Sequence, residues 1–259
     1  FKNIDTVLIN FMNVIIQPSG ISGDIAAPAS KSAMQRACAL ALLHQGVTHI
    51  HNPGTSNDDK AALSIIAQLG ASIAQLPGGT LSISPQNFGN SDRECSIDCG
   101  ESGLSIRMFT PIAALCRQRV HITGSGSLAS RPMDFFDAIF PQLGIHIQTN
   151  NGKLPLSVQG PLQTKEIGID GSLSSQFLTG LLFAYAKAAA SPAVIHVDNL
   201  KSKPYIDLSL QMLEHFGYTV TNDDHTIFTI LPGNKLSGQQ VHYTVEGDWS
   251  GASRRPWPR

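Results

Sequence analysis

The chain has 259 residues, of which 42% are apolar and 14% are charged, and its 18 basic and 19 acidic side chains nearly cancel. A nucleic-acid-binding domain usually carries a basic excess and a disordered chain is less apolar, so neither class is expected. No run of about 18 apolar residues occurs, residues 1–13 do not resemble a secretory signal, and four cysteines do not make a disulfide framework. These features predict a cytoplasmic protein without nucleic-acid or membrane partners.

Two helices are predicted in the first third of the chain. The first runs from about Ser32 to His44 and is apolar over much of its circumference, as expected for a helix buried on several sides. The second begins at the cap residues 55–58 and ends at Gly70. Alternating residues after that glycine, and again at 80–84, predict strands.

The same order of elements recurs twice more. Buried helices begin near Ser102 and Ser174, and strands are predicted at 120–123 and 194–197. More amphipathic helices open at the polar-proline sequences 130–132 and 202–204. The glycines that end the second helix of each copy lie at 70, 144 and 217, spacings of 74 and 73 residues. The pattern predicts an α/β (α+β) domain made of three units of about 70 residues.

The starts of the predicted helices concentrate basic and hydroxyl side chains. A helix N-terminus holds anions well, and a basic side chain there is unfavourable unless an anion offsets it. Because equivalent ends of a repeat lie at one edge of a domain, we expect one rim that binds a small polyanion, such as a phosphorylated acid. Its basic residues are Lys31, Arg36, Arg107, Arg131 and Lys203. In the alternative interpretation the hydroxyls are ordinary N-caps, and Arg36 and Arg107 are surface residues.

Other candidate sites are weaker. Cys95 and Cys99 have no second pair and no nearby histidine, so no metal site is predicted. His49 and His51 are expected to face solvent, and no cofactor is predicted. Three aspartates are candidate acids or bases without an evident partner: Asp98, Asp170 and Asp207.

Six motifs follow one another between residues 28 and 250. They are Pro28-Ala29-Ser30-Lys31-Ser32-Ala33-Met34-Gln35-Arg36-Ala37, Gly100-Glu101-Ser102-Gly103-Leu104-Ser105-Ile106-Arg107, Arg131-Pro132-Met133, Asp170-Gly171-Ser172-Leu173-Ser174-Ser175-Gln176-Phe177-Leu178, Ser202-Lys203-Pro204-Tyr205-Ile206-Asp207 and Val245-Glu246-Gly247-Asp248-Trp249-Ser250. In this order they resemble the substrate motifs of the 5-enolpyruvylshikimate-3-phosphate synthase family.

The resemblance implies both a fold and a reaction. The fold is two domains, each of three βαβαββ units whose helix N-termini face the cleft between them. Residues 23–240 would form the complete domain, whereas 1–22 and 241–259 would belong to a second domain that is largely missing. The reaction moves the enolpyruvyl group of phosphoenolpyruvate to the 5-hydroxyl of shikimate 3-phosphate and releases phosphate, in a monomer that needs no cofactor or metal.

The resemblance also implies a role for particular residues. Those that would hold shikimate 3-phosphate are Ser32, Arg36, Ser174, Ser175, Gln176, Ser202 and Tyr205. Those that would face phosphoenolpyruvate are Lys31, which is also the catalytic candidate, Gly103, Arg131 and again Gln176. Lysine and arginine would neutralise phosphate and carboxylate groups, and glycine would permit close backbone approach.

Two departures from the family pattern leave alternatives open. Leu104 stands where many members have threonine, so a hydroxyl contact is lost there. The sequence 254–259 interrupts the expected first helix of the second domain. A half-enzyme that binds shikimate 3-phosphate without turnover is therefore one alternative. The related transferase that acts on UDP-N-acetylglucosamine is another, disfavoured by Ser32 and by 174–176.

Overall fold

A computed structural model describes residues 26–89 and 93–249. The predicted assignments for 1–22 and for the tail 254–259 fall outside the described residues. Within these ranges the chain folds as three successive α/β units. The first contains α1 (Lys31–Leu43), β1 (Thr48–His51), α2 (Asn57–Gln68), β2 (Ala71–Gln75) and β3 (Leu81–Pro85), with a short 3-10 helix at Pro77–Gly79.

The second and third units repeat this order of elements. The second contains β4 (Cys95–Asp98), α3 (Gly103–Ala113), β5 (Val120–Thr123), α4 (Asp134–Ile139), β6 (His146–Thr149) and β7 (Leu156–Gln159), with 3-10 helices at Gly126–Ser130 and Phe140–Leu143. The third contains β8 (Ile167–Asp170), α5 (Ser175–Ala188), β9 (Ala193–Asp198), α6 (Lys203–His215), β10 (Val220–Asp223) and β11 (Ile227–Ile230), and the strand β12 (Val241–Thr244) follows it.

Each unit forms one four-stranded sheet with the same pairing. The strand orders are β12-β1-β3-β2, β4-β5-β7-β6 and β8-β9-β11-β10. In each sheet the first two strands of this order run parallel to each other, and the two remaining neighbouring pairs are antiparallel. In the first sheet β12 occupies the place that β4 and β8 take in the others. It lies beyond the predicted boundary at residue 240, yet it pairs with β1 in register from Thr48↔Val241 to His51↔Thr244.

Equivalent strand positions carry equivalent side chains, which supports the repeat at the level of residues. The residue before the first strand of each sheet contacts a histidine on the neighbouring strand. The three contacts are Glu94 with His121, Glu166 with His196, and Gln240 with His49.

The helix starts follow from local capping. Serine side chains at 30, 102 and 174 cap α1, α3 and α5, and Ser56 forms a capping box with Asp59 at the start of α2. The expected start at 130–132 is wrong, because α4 begins only at Asp134. The backbone N–H of Met133 instead donates to the carbonyl of Gly152 at 2.7 Å, so the helix begins after Met133.

The three predicted helix-ending glycines adopt positive φ, with φ of 106° at Gly70, 73° at Gly144 and 86° at Gly217. Only glycine adopts this backbone region at low cost, which is why it ends the helix and starts the following strand.

The first helices of the three units form the centre of the domain. Helices α1, α3 and α5 contact one another, and most of their side chains are buried. Gly180 lets α5 approach α3 closely, because a Cβ placed there would lie 2.6 Å from the carbonyl oxygen of Arg107. This packing sets the N-terminal ends of these helices side by side. No helix in the described ranges is both long and apolar enough to cross a membrane.

Candidate anion-binding site

A cavity of about 310 Å³ opens at the N-terminal ends of α1, α5 and α6. Loops after β8 and β9 supply one side of it, and the first turns of the three helices supply the other. Its lining residues are Ser32, Arg36, Leu104, Ser172, Leu173, Ser174, Ser175, Gln176, Lys201, Ser202 and Tyr205. The structure therefore brings together all seven residues that the sequence associates with shikimate 3-phosphate.

Arg36 lies at the base of this cavity and is 1% exposed, so the interpretation that it is a surface residue is wrong. Its Nε donates to Ser209 Oγ at 2.8 Å, its Nη1 to the carbonyl of Ser32 at 2.9 Å, and its Nη2 to the carbonyl of Tyr205 at 3.3 Å. The contacts with Tyr205 and Ser209 tie the second turn of α1 to the first two turns of α6. They hold the guanidinium plane in one orientation.

The charge of Arg36 is not neutralised by protein. In the part of the chain that the structure describes, no carboxylate lies within ion-pair distance of this guanidinium. Burial lowers the pKa of Arg36 to about 10, so the side chain still carries its charge at neutral pH. Buried charges are normally paired. A buried, unpaired cation that lines a cavity indicates an anionic ligand.

The helix starts around the cavity reinforce this polarity. No acidic residue stands in the first turn of α1, α5 or α6, so their partial positive charges are also unopposed. Ser202 adopts a left-handed conformation with φ of 58° and makes no side-chain cap to α6. Its hydroxyl is therefore not used as an N-cap, contrary to the alternative interpretation.

Lys201 and Leu173 were missed in the sequence analysis, although both line the cavity. Lys203 was expected to lie at the binding rim, but it is exposed and does not line the cavity. Lys201, two residues earlier, lines it instead. Leu173 is 62% exposed in the loop before α5. The left-handed residues Asn199 and Ser202 turn the loop between β9 and α6, which contains Lys201, and a periodicity argument contains no signal for such a turn.

A second group of predicted residues meets at the start of α3. A Cβ built on Gly103 would lie 2.6 Å from Arg131 Nη1 and 3.0 Å from Arg107 Nη1, so two guanidiniums stand against this glycine. Arg107 Nη1 also donates to Gln176 Oε1 at 3.1 Å, which connects the group to the cavity. Gly103, Arg131 and Gln176 are three of the four residues that the sequence associates with phosphoenolpyruvate.

Lys31, the fourth, lies apart from these residues. It lines a neighbouring cavity of about 440 Å³, together with Asn52, Ser56 and Asp248, and its Nζ is 3.5 Å from the carboxylate of Asp58. The expected single rim of five basic residues is thus divided. Arg36 is in one cavity, Lys31 is in the next, and Arg107 and Arg131 stand at Gly103.

The remaining candidates have structural partners. The carboxylates of Asp98 and Asp170 accept from backbone N–H groups two residues on, and Asp207 contacts His225 at 2.6 Å. The expected solvent exposure of His49 and His51 is wrong in part, because both are half-buried and stack against His242. Burial and the two neighbouring histidines lower the pKa of His49. Among the described residues no group of three or more histidines, cysteines or acids is arranged to hold a metal ion.

A larger cavity, of about 560 Å³, lies between α6 and β10, but its chemistry is different. It contains the carboxylates of Asp207 and Glu214 with one lysine, Lys235, and it lacks a buried cation. The smaller cavity, which contains the buried cation, is therefore the candidate anion site.

Together, these observations define an α/β repeat domain with a cavity at the helix N-termini that is lined by a buried, unpaired cation. A family model of EPSP synthase (3-phosphoshikimate 1-carboxyvinyltransferase) matches residues 15–254, and the chain belongs to this family. The resemblance drawn from the six motifs is thereby confirmed.

The curated relatives that this chain resembles are longer than the chain. The 3-phosphoshikimate 1-carboxyvinyltransferase of Clostridium novyi is 35% identical over 246 residues, which are 92% of this chain and 56% of the relative. That of Clostridium beijerinckii is 36% identical over 247 residues, which are 93% of this chain and 56% of the relative. The chain thus spans about half the length of the curated relatives it matches.

Solved structures confirm the predicted fold class. EPSP synthase from Acinetobacter baumannii superposes with a TM-score of 0.72 at 25% identity, over 86% of this chain and 50% of that one. The enolpyruvyl transferase NikO from Streptomyces tendae gives 0.63 at 14% identity, over 88% of this chain and 52% of that one. This second likeness concerns the fold alone.

Proposed function

We propose that this chain supplies the shikimate-3-phosphate-binding part of a 3-phosphoshikimate 1-carboxyvinyltransferase. The observation that carries the proposal is the buried guanidinium of Arg36, which lines a cavity rich in hydroxyls and has no carboxylate partner among the described residues. The names of the relatives support the same activity. In this proposal Arg36 and Lys201 neutralise the phosphate, and Ser175 and Ser202 donate to its oxygens.

The reaction joins two anions and needs positive charge at their meeting point. The 5-hydroxyl oxygen bonds to C2 of phosphoenolpyruvate, the hydroxyl proton is lost, and C3 gains a proton. In the resulting tetrahedral intermediate the bond from C2 to the phosphate oxygen then breaks, and C3 loses a proton as phosphate leaves. Lys31 and Arg131 would stabilise the negative charge of the carboxylate and of the leaving phosphate.

Phosphoenolpyruvate would lie between the two groups of residues. Gly103 leaves space in front of Arg131, and Gln176 contributes to both the cavity and the arginine group. Lys31 would approach from the adjoining cavity, and its exposed ammonium would have to leave Asp58 to do so. Monomeric state and cytoplasmic location stay predictions.

Calorimetric titration of the 259-residue chain with shikimate 3-phosphate tests the binding role. We expect saturable binding that is lost when unphosphorylated shikimate replaces the ligand, because Arg36 would then have no anion to neutralise. The proposal would be overturned if both ligands bound equally well. It would also be overturned if neither ligand bound to a chain that circular dichroism shows to be folded.

A second measurement, of turnover, distinguishes a transferase from a half-enzyme that only binds shikimate 3-phosphate. Phosphate release is followed with both substrates present, and the control omits shikimate 3-phosphate. Release that depends on both substrates supports transfer by this chain. Binding without release supports the half-enzyme alternative.

A further inference from the structure

Arg107 is conspicuous among the basic residues because the family resemblance gives it no role. It lies in the second turn of α3, where its Nη1 donates to the carbonyl of Gly103 at 3.3 Å and to Gln176 Oε1 at 3.1 Å. Both partners belong to the predicted substrate-contacting residues. Arg107 itself is absent from the lining of the cavity that contains Arg36, so its link to a ligand in that cavity passes through Gln176.

The contact with Arg107 determines which end of the Gln176 amide faces the cavity. A guanidinium can only donate, so the amide must present its oxygen to Arg107. The two N–H groups of Gln176 are then directed away from Arg107, on a side chain that lines the cavity. Those donors suit the oxygen atoms of an anionic or hydroxylated ligand. The opposite orientation would place an acceptor there, which would repel the oxygen atoms of an anion.

The surroundings of Arg107 restrict it to this position. Its guanidinium lies 5.1 Å from the centre of the Phe177 ring, and its Nε is buried without a partner in the described ranges. Burial, and then the charge of Arg131, lower the pKa of Arg107. Contact with the Phe177 ring and repulsion from Arg131 leave the Arg107 side chain little freedom to turn away from Gln176.

We propose that Arg107 is a positioning residue that fixes the amide of Gln176 with its N–H groups toward the substrate cavity. The role rests on the proposed function, because it concerns shikimate 3-phosphate as the ligand. It predicts that the two side chains act as a unit: removing either one should remove the same contribution to binding.

A double-mutant cycle tests this unit. Shikimate 3-phosphate affinity is measured by calorimetry for the original chain, Arg107→Met, Gln176→Met and the double variant. Each single change should weaken binding about 5-fold, the value of one net hydrogen bond, and the double variant should be no weaker than Gln176→Met alone. Arg119→Met is the matched control, because Arg119 donates to Gln148 at 3.4 Å in an equivalent but exposed pair. It should bind like the original chain.

Folding and amide order are followed in the same proteins. Urea unfolding identifies any variant that is destabilised, and Arg107→Leu, which keeps an apolar side chain against Phe177 and cannot donate to Gln176, then replaces Arg107→Met. Independent of any ligand, ¹⁵N relaxation should find the Gln176 side-chain amide ordered in the original chain and mobile in Arg107→Met.

Additive losses in the cycle, an unchanged affinity in Arg107→Met, or an amide equally mobile in both proteins would overturn the positioning role. A chain that binds no shikimate 3-phosphate, but in which the amide is ordered only when Arg107 is present, would overturn the proposed function and leave the positioning contact supported.

Discussion

Replacing Arg36 by methionine separates its role in binding from its role in folding. Methionine keeps an unbranched stem of similar length and removes the charge and all three donated hydrogen bonds. The three acceptors lie on different elements: the carbonyl of Ser32 in α1, and Ser209 Oγ and the carbonyl of Tyr205 in α6. The consequences for stability depend on whether these acceptors keep other partners.

They do keep partners, so we expect a small effect on folding. Ser209 Oγ lies 3.0 Å from Thr179 Oγ1 and donates to the carbonyl of Tyr205 at 2.8 Å. The carbonyl of Ser32 is a helix acceptor one turn before Arg36. Replacing a buried charge by an apolar group of similar volume is often neutral. We expect the free energy of unfolding to change by less than about 1 kcal/mol, the net value of one hydrogen bond.

The effect on ligand binding should be much larger. A charge-assisted contact to phosphate in a buried site contributes about 1.5–3 kcal/mol, which corresponds to a loss of roughly 10- to 150-fold in affinity. Burial excludes the water that would otherwise screen Arg36, so the upper part of this range is expected.

Calorimetric titration with shikimate 3-phosphate measures this loss, and urea unfolding of the same samples measures stability. Arg119→Met, at a half-buried arginine outside the cavity, serves as the control for the loss of one positive charge. An affinity of Arg36→Met within 2-fold of the control would refute the assignment of Arg36 as the anion partner. A loss of affinity accompanied by a collapse of stability would refute the argument that its acceptors keep their partners.

Three further predictions concern packing, titration and thiol reactivity. Gly180→Ala should lower the free energy of unfolding by about 1–3 kcal/mol, because its Cβ would meet the backbone of α3, whereas Gly168→Ala, with open space around its Cβ, should be near neutral in the same urea measurement. The carboxyl of Asp170 should titrate below its ordinary pKa in ¹³C NMR, since it accepts from the backbone N–H of Ser172, and its small stabilising contribution should be lost as the pH falls through that lowered pKa; an ordinary value would contradict the observed contact. Cys95 should be the one thiol that reacts with a disulfide reagent in the native protein, because burial raises the pKa of all four thiols but only Cys95 is half-buried and the other three are buried; all four should react in urea, and several fast thiols without urea would contradict the packing.

Local chemistry explains why much of the fold could be predicted. A serine that caps its own helix, as Ser102 and Ser174 do, and a glycine that must adopt positive φ, as Gly144 must, act through neighbours in the chain. Their positions therefore indicate element ends without knowledge of the rest of the molecule. The start of α4 was predicted wrongly because the backbone N–H of Met133 donates to the carbonyl of Gly152, a contact from a distant loop.

The strand β12 shows the limit of that local information. The family resemblance predicts that residues 241–244 belong to the second domain, whereas in the structure these residues complete the first sheet by pairing with β1. Pairing between segments almost 200 residues apart depends on which edge is left open by the other strands, and no local pattern carries that information.

The three repeats, the family and seven of the side chains that line the cavity containing Arg36 could be predicted from the sequence, because motifs and caps depend on residues close together in the chain. Tertiary structure alone decided how those side chains are grouped. Packing of α1 against α6 buried Arg36 and left it without a carboxylate, and packing of α3 against α5 set Arg107 against Gln176. Burial and hydrogen-bond partners depend on segments far apart in sequence, so no local pattern shows that Arg36 lines a cavity without a carboxylate partner or that Arg107 contacts Gln176.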